Sequence, residues 1–134
     1  MKKINCILLV DDNPADNEFH TIIIKEAAVC NTIEVVTSGN DAITYLNKAI
    51  DTGAVPIPNM IFVDINMPGM SGFDFLHEYG SIYWKLPPEI ALVMLTTSIN
   101  PVDKTNSVRA GDITDFVNKP LTVDKLRKLV EKYF

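Results

Sequence analysis

The stretch INCILLVDDNPAD, residues 4–16, decides how the chain folds. It opens with an almost wholly apolar run, INCILLV, without the strict alternation of a strand that has one wet face. A strand covered on both sides reads this way. Two carboxylates, Asp11 and Asp12, close the run. Asn13 then stands where a helix N-cap belongs and Pro14 at the first helical position. Beyond it, Phe19, Ile22, Ile23 and Ala27 recur at helical spacing, which predicts a helix with those four on its buried face.

The same texture repeats outward. Apolar runs occur at TIEVV (32–36), MIFVD (60–64), IALVMLT (90–96) and ITDFV (113–117). Helical spacing fills the gaps. Ala42, Tyr45, Leu46 and Ala49 predict a second helix, and a third starts near Ser71 or Gly72 and buries Phe73, Leu76 and Tyr79. Val123, Leu126, Val130 and Tyr133 predict the last, capped by Thr122. A further helix is expected from Asn100–Pro101 to Gly111, weakly anchored because Val102 and Val108 are its only sizeable apolar side chains. Strand and helix in alternation predict an α/β fold: a doubly wound, five-stranded parallel sheet of order 2-1-3-4-5, flavodoxin-like, with helices on both faces. The Pro-containing stretches 51–59 and 83–89 precede strands and belong at the opposite edge from the loops that follow them.

Composition narrows the function. A chain of 134 residues fits one domain, expected to span 1–134 with no output domain. Its 47% apolar and 22% charged residues are those of a water-soluble protein, and no apolar run approaches the roughly 20 residues a membrane helix needs. The N-terminus lacks a small-residue cleavage site, so MKKINCILLV reads as a first strand rather than a signal peptide. A net charge of -5 without any basic cluster argues against nucleic acid as a direct ligand. Cys6 and Cys30 lack metal-ligand or CxxC spacing and are expected as free thiols in a reducing cytoplasm.

The residues that close the apolar runs carry the chemistry. The first run ends on Asp11 and Asp12, the third on Asp64, the fourth on Thr96 and Thr97, and the fifth leads to Lys119–Pro120. In the order 2-1-3-4-5 the first and third strands are neighbours, so three carboxylates crowd together and repel. A hard divalent cation, Mg²⁺, relieves that repulsion. With a hydroxyl and an ammonium on the opposite flank, the set suits phosphoryl transfer with a carboxylate as nucleophile. Each residue alone also has a structural reading: Asp64 as a helix cap or turn residue, Asp11 and Asp12 as loop acids before a helix N-terminus, Thr96 as a strand end, Lys119 as a solvated turn residue, Phe116 as core.

Together, LLVDDNPAD (8–16), FVDINMPGMSG (62–72), VMLTTS (93–98) and DFVNKP (115–120) resemble the receiver domain of bacterial two-component response regulators over essentially the whole chain. The resemblance implies that Asp64 is the phosphoacceptor. Asp12 would ligate Mg²⁺ directly, Asp11 mostly through a water, and the Asn66 main-chain carbonyl would add a ligand. Thr96 and Lys119 would bind the attached phosphoryl group, Phe116 would be the switch aromatic, and Lys119–Pro120 is often cis in the family. It further implies a sensor histidine kinase or histidine phosphotransfer protein as donor, an unknown downstream protein target, a cytoplasmic location, and a self-modifying phosphoacceptor with autodephosphorylation rather than a turnover enzyme. LVDDNPADNEF and LTTSINPVD look especially like stand-alone receivers associated with bacteriophytochrome-type kinases. Thr97 is bulkier than the Ala or Gly often found there. A haloacid-dehalogenase-like phosphatase needs a second Asp two residues after its nucleophile, where this chain has Asn66. A flavin carrier is disfavoured by the acidic loop DDNPAD, and the complete acceptor set argues against a phosphorylation-independent pseudo-receiver.

Overall fold

The computed structural model describes residues 3–65, 67, 72–97 and 113–134, with only the backbone described at Phe73. Elements run in chain order as β1 (Ile4–Val10), α1 (Pro14–Ala27), β2 (Cys30–Val36), α2 (Gly39–Thr52), β3 (Met60–Asp64), α3 (Gly72–Ile82), a 3₁₀ turn (Tyr83–Lys85), β4 (Ala91–Thr96), β5 (Asp115–Asn118) and α4 (Val123–Tyr133). The strands form one five-stranded sheet in the order β2-β1-β3-β4-β5, with every pairing parallel, as the alternation of textures predicts. The helix expected over 100–111 lies outside the described residues. None of the described helices is long and apolar enough to cross a membrane.

The unbroken apolar runs have a simple cause. Successive side chains along a strand point to opposite faces, and here both faces are covered. Leu8, Val10, Ile61, Val63, Leu92 and Met94 pack under α2 and α3, against Ala42, Leu46, Phe75 and Tyr79. Their sequence neighbours Ile7, Leu9, Phe62, Val93 and Leu95 pack on the other face, against Ile24, Ala27, Leu126 and Val130 of α1 and α4. β2, at the edge, is covered least, and its Val35 is exposed. Cys6 and Cys30 are both free thiols.

Boundaries differ from the sequence reading by a residue or two: β2 begins at Cys30, and β5 is displaced to Asp115–Asn118. The buried face of α1 is a larger correction. Phe19 and Ile22 are 44% and 56% exposed, whereas Asn17, His20, Ile24 and Ala27 are buried. A buried polar group is tolerated where it finds a hydrogen-bond partner, and the two polar members of this stripe do: Asn17 Nδ2 donates to the Asp11 carbonyl at 2.8 Å, and His20 Nε2 accepts from the Leu121 N–H at 3.4 Å. The caps behave as expected. Asn13 accepts from the Ala15 and Asp16 N–H groups, and Thr122 from that of Lys125.

Candidate functional site

Parallel pairing sets the ends of β1, β3, β4 and β5 side by side. Val10 pairs with Val63, which brings Asp11 and Asp12 beside Asp64, and Thr96 pairs with Asn118, one residue before Lys119. The Lys119 N–H donates to the Thr96 carbonyl at 2.7 Å, and the Lys119–Pro120 bond is cis. Asp11, Asp64 and Thr96 are buried, while Asp12 is more open to solvent.

Asp11 is held from several directions. Its N–H donates to the Val36 carbonyl, its Oδ1 accepts from the Asn13 N–H at 2.9 Å, and its carbonyl accepts from Asn17. Its Oδ2 lies 2.9 Å from Lys119 Nζ. The same ammonium is 2.9 Å from Asp16 Oδ2 and 3.5 Å from Asp64 Oδ1. The lysine side chain is only 12% exposed. Burial, the strongest influence on Lys119, works to lower its pKa, but hydrogen bonds to Asp16 and Asp11 and the charges of Asp11 and Asp64 outweigh it and hold it above the ordinary lysine value. The ammonium therefore stays charged.

Carboxylate oxygens of Asp11, Asp12 and Asp64 lie within 4.8 Å of one another. Hard oxygen donors at such spacing, two of them on buried residues and with an open side at Asp12, fit a divalent cation of the Mg²⁺ kind. The site thus combines a carboxylate set spaced to fit a cation, a nucleophile candidate among them, and an ammonium bridging two of its members.

Of the expected site residues, Asp11, Asp12, Asp64 and Lys119 come together, and Thr96 ends the neighbouring strand with its carbonyl on the Lys119 N–H. Asn66 lies outside the described residues, so its main-chain carbonyl is not placed. Phe116, the expected switch aromatic, is half-buried against the α2–α3 core. Asp16 was missed: it is the last acid of LLVDDNPAD, in the first turn of α1, where acids are common for helix-dipole reasons alone. Gly72 was missed as a site residue too. A Cβ there would come within 2.7 Å of Met94 Cε, 2.8 Å of Ile65 Cα and 2.9 Å of the Asp64 carbonyl, so α3 starts flush against the backbone that carries Asp64.

Comparison with known proteins agrees with this geometry. A crystal structure of a two-component response regulator from Cytophaga hutchinsonii is 32% identical and superposes with a TM-score of 0.89, covering 98% of each chain. The response regulator Rcp1 of Synechocystis is 28% identical over 128 residues, 93% of this chain and 83% of its own. Its Mn²⁺-bound crystal form superposes with a TM-score of 0.69, at 27% identity over 95% of this chain and 89% of that one. The bacteriophytochrome response regulator AtBRR is 26% identical with a TM-score of 0.77, covering 98% of this chain and 93% of that one. Hybrid signal transduction histidine kinase L of Dictyostelium discoideum is 26% identical over 98% of this chain, which spans only 7% of that relative. Residues 7–131 match the response regulator receiver domain, and the chain belongs to that family.

Proposed function

We propose that the protein takes a phosphoryl group onto Asp64 in a Mg²⁺-dependent reaction and signals through a phosphorylation-dependent contact with another protein. Receiver domains of response regulators are the phosphoaccepting partners of two-component signalling; the residue-level assignment rests on one observation, the convergence of Asp11, Asp12 and Asp64 within 4.8 Å beneath the Lys119 ammonium. The donor is a phosphohistidine of a sensor kinase or phosphotransfer protein, or a small acyl phosphate.

An Asp64 carboxylate oxygen attacks phosphorus; the new P–O bond forms as the donor's P–N bond breaks, and the imidazole keeps the electron pair and takes up a proton. From an acyl phosphate a P–O bond breaks instead, and the carboxylate leaves with the pair. Asp11 and Asp12, with Asp64 itself, would hold the metal ion, which when bound would supply positive charge against the phosphoryl oxygens. That Rcp1 has a Mn²⁺-bound form supports divalent-metal binding here. Lys119 adds its own charge from the other flank, and the Thr96 hydroxyl, at the end of the adjoining strand, donates to the attached group. Water then hydrolyses the acyl phosphate, so the protein acts on itself rather than turning over a separate substrate in the cytoplasm.

The deciding experiment is incubation with Mg²⁺ and acetyl phosphate followed by intact-mass measurement. Wild type gains one phosphoryl group; Asp64→Asn gains none, nor does wild type in excess chelator. Steady release of phosphate from a generic phosphomonoester without an adduct would instead mark a phosphatase.

A further inference from the structure

Lys119 has one partner more than the phosphoacceptor role requires. Asp11 and Asp64 belong to the set that fits the cation, yet Asp16 Oδ2 sits at 2.9 Å, as close as Asp11. Asp16 is not among the clustered carboxylates, and its side chain is 40% exposed on the first turn of α1, held there by the Asn13 cap that receives its N–H. We infer that Asp16 is a positioning residue for Lys119, keeping the ammonium at the site once Asp11 and Asp64 turn to a metal ion. This rests on the reading of the site given above.

The physical argument is one of competition. Without a cation, one ammonium is shared among Asp11, Asp16 and Asp64. A dication at Asp11, Asp12 and Asp64 draws on carboxylates the ammonium also uses, and like charges repel. Lys119 then needs an anion outside the cluster, and the ion pair with Asp16 strengthens as the others weaken. Asp16 therefore favours metal binding through the lysine, over and above its own negative charge. With Asn at position 16, Lys119 stays committed to Asp11 and Asp64, and the metal must displace it.

The test is Mg²⁺ titration by calorimetry, without any phosphoryl donor, on wild type, Asp16→Asn, Asp16→Glu, Lys119→Met and the Asp16→Asn/Lys119→Met double variant. Asp16→Asn should weaken Mg²⁺ binding about threefold, in keeping with a partly exposed ion pair, and Asp16→Glu, which keeps the carboxylate, should restore most of it. In the Lys119→Met background the same Asn substitution should have little effect, because the residue it acts through is gone. Equal weakening in both backgrounds would show Asp16 to be a plain charge, and no weakening in either would show it to be idle; each overturns the inference. Intact mass of acetyl-phosphate-treated wild type separates the two levels. A phosphoryl adduct with an unresponsive Asp16 sinks only the positioning role. Wild type that neither binds Mg²⁺ nor gains a phosphoryl group sinks both.

Discussion

Helices α1 and α2 are of equal length and cover opposite faces of the sheet, yet they bury different chemistry. The buried stripe of α2 consists of Gly39, Ala42, Tyr45, Leu46 and Ala49, and its single polar atom, the Tyr45 hydroxyl, donates to the Pro56 carbonyl at 2.6 Å, away from the carboxylate site. That of α1 begins with Asn17 and His20 and turns apolar only at Ile24 and Ala27. Asn17 braces the backbone of Asp11, His20 the backbone of the loop that carries Lys119, and Asp16 the lysine itself. Asn17 Oδ1 is buried without a hydrogen-bond partner among the described residues. The helix beside the site thus exchanges part of its packing for hydrogen bonds that set the positions of charged groups; the helix across the sheet holds the core and little else.

The contrast breaks most visibly at Leu46, which is fully buried in the α2 core. Leu46→Ala should cost about 2–5 kcal/mol of stability, the lost transfer energy plus the cavity left behind, read by urea denaturation. Phosphoryl uptake by the folded protein should stay at the wild-type level, since Leu46 packs in the core under α2 and α3. A cost near zero, or uptake lost from protein still folded, would mean that α2 shapes the site after all.

On α1, pH offers the sharper tool. Burial, then the Lys119 charge, push the His20 pKa below its ordinary 6.5, while Asp16 and Asp11 pull weakly the other way. The unfolded chain consequently binds a proton more readily than the folded one. Stability from this group is complete above pH 6.5 and declines as pH falls below that value toward the folded pKa. Protonation also costs Nε2 its capacity to accept from Leu121. Urea midpoints of wild type should thus drop more steeply on acidification than those of His20→Gln, which has no such proton to gain. Parallel curves would remove His20 from the account of acid sensitivity.

Much of this arrangement was visible in the sequence because parallel sheets announce their ligand edge. Asp11, Asp12, Asp64, Thr96 and Lys119 each stand where an apolar run stops, and strand order alone brings them together. The α1 face was not visible for a related reason. Apolar periodicity counts side chains that water rejects, and it cannot register an Asn or His buried because a backbone group far along the chain receives it. The partners of Asp16 and His20 lie 103 and 101 residues away. Gly72 escaped likewise: its need for the smallest side chain comes from Met94 and the Asp64 backbone, and a Gly after Pro and Ser reads first as a turn.

The smallest expected effect tests that corrected face directly. Hydrophobic periodicity assigns Phe19 and Ile22 to the core, where truncation to Ala would cost several kcal/mol. Both are exposed, with the Phe19 ring meeting the edge of His20 at 5.6 Å between centroids. Surface substitutions of that kind usually stay within about 0.5 kcal/mol, so Phe19→Ala and Ile22→Ala should leave the urea midpoint nearly unchanged. Ile24→Ala, two residues further along the same helix and 1% exposed, should not. If the three substitutions cost alike, α1 is rotated about its axis relative to the structure. Asn17 and His20 would then face solvent, and the bracing of Asp11 and of the lysine loop would go with them.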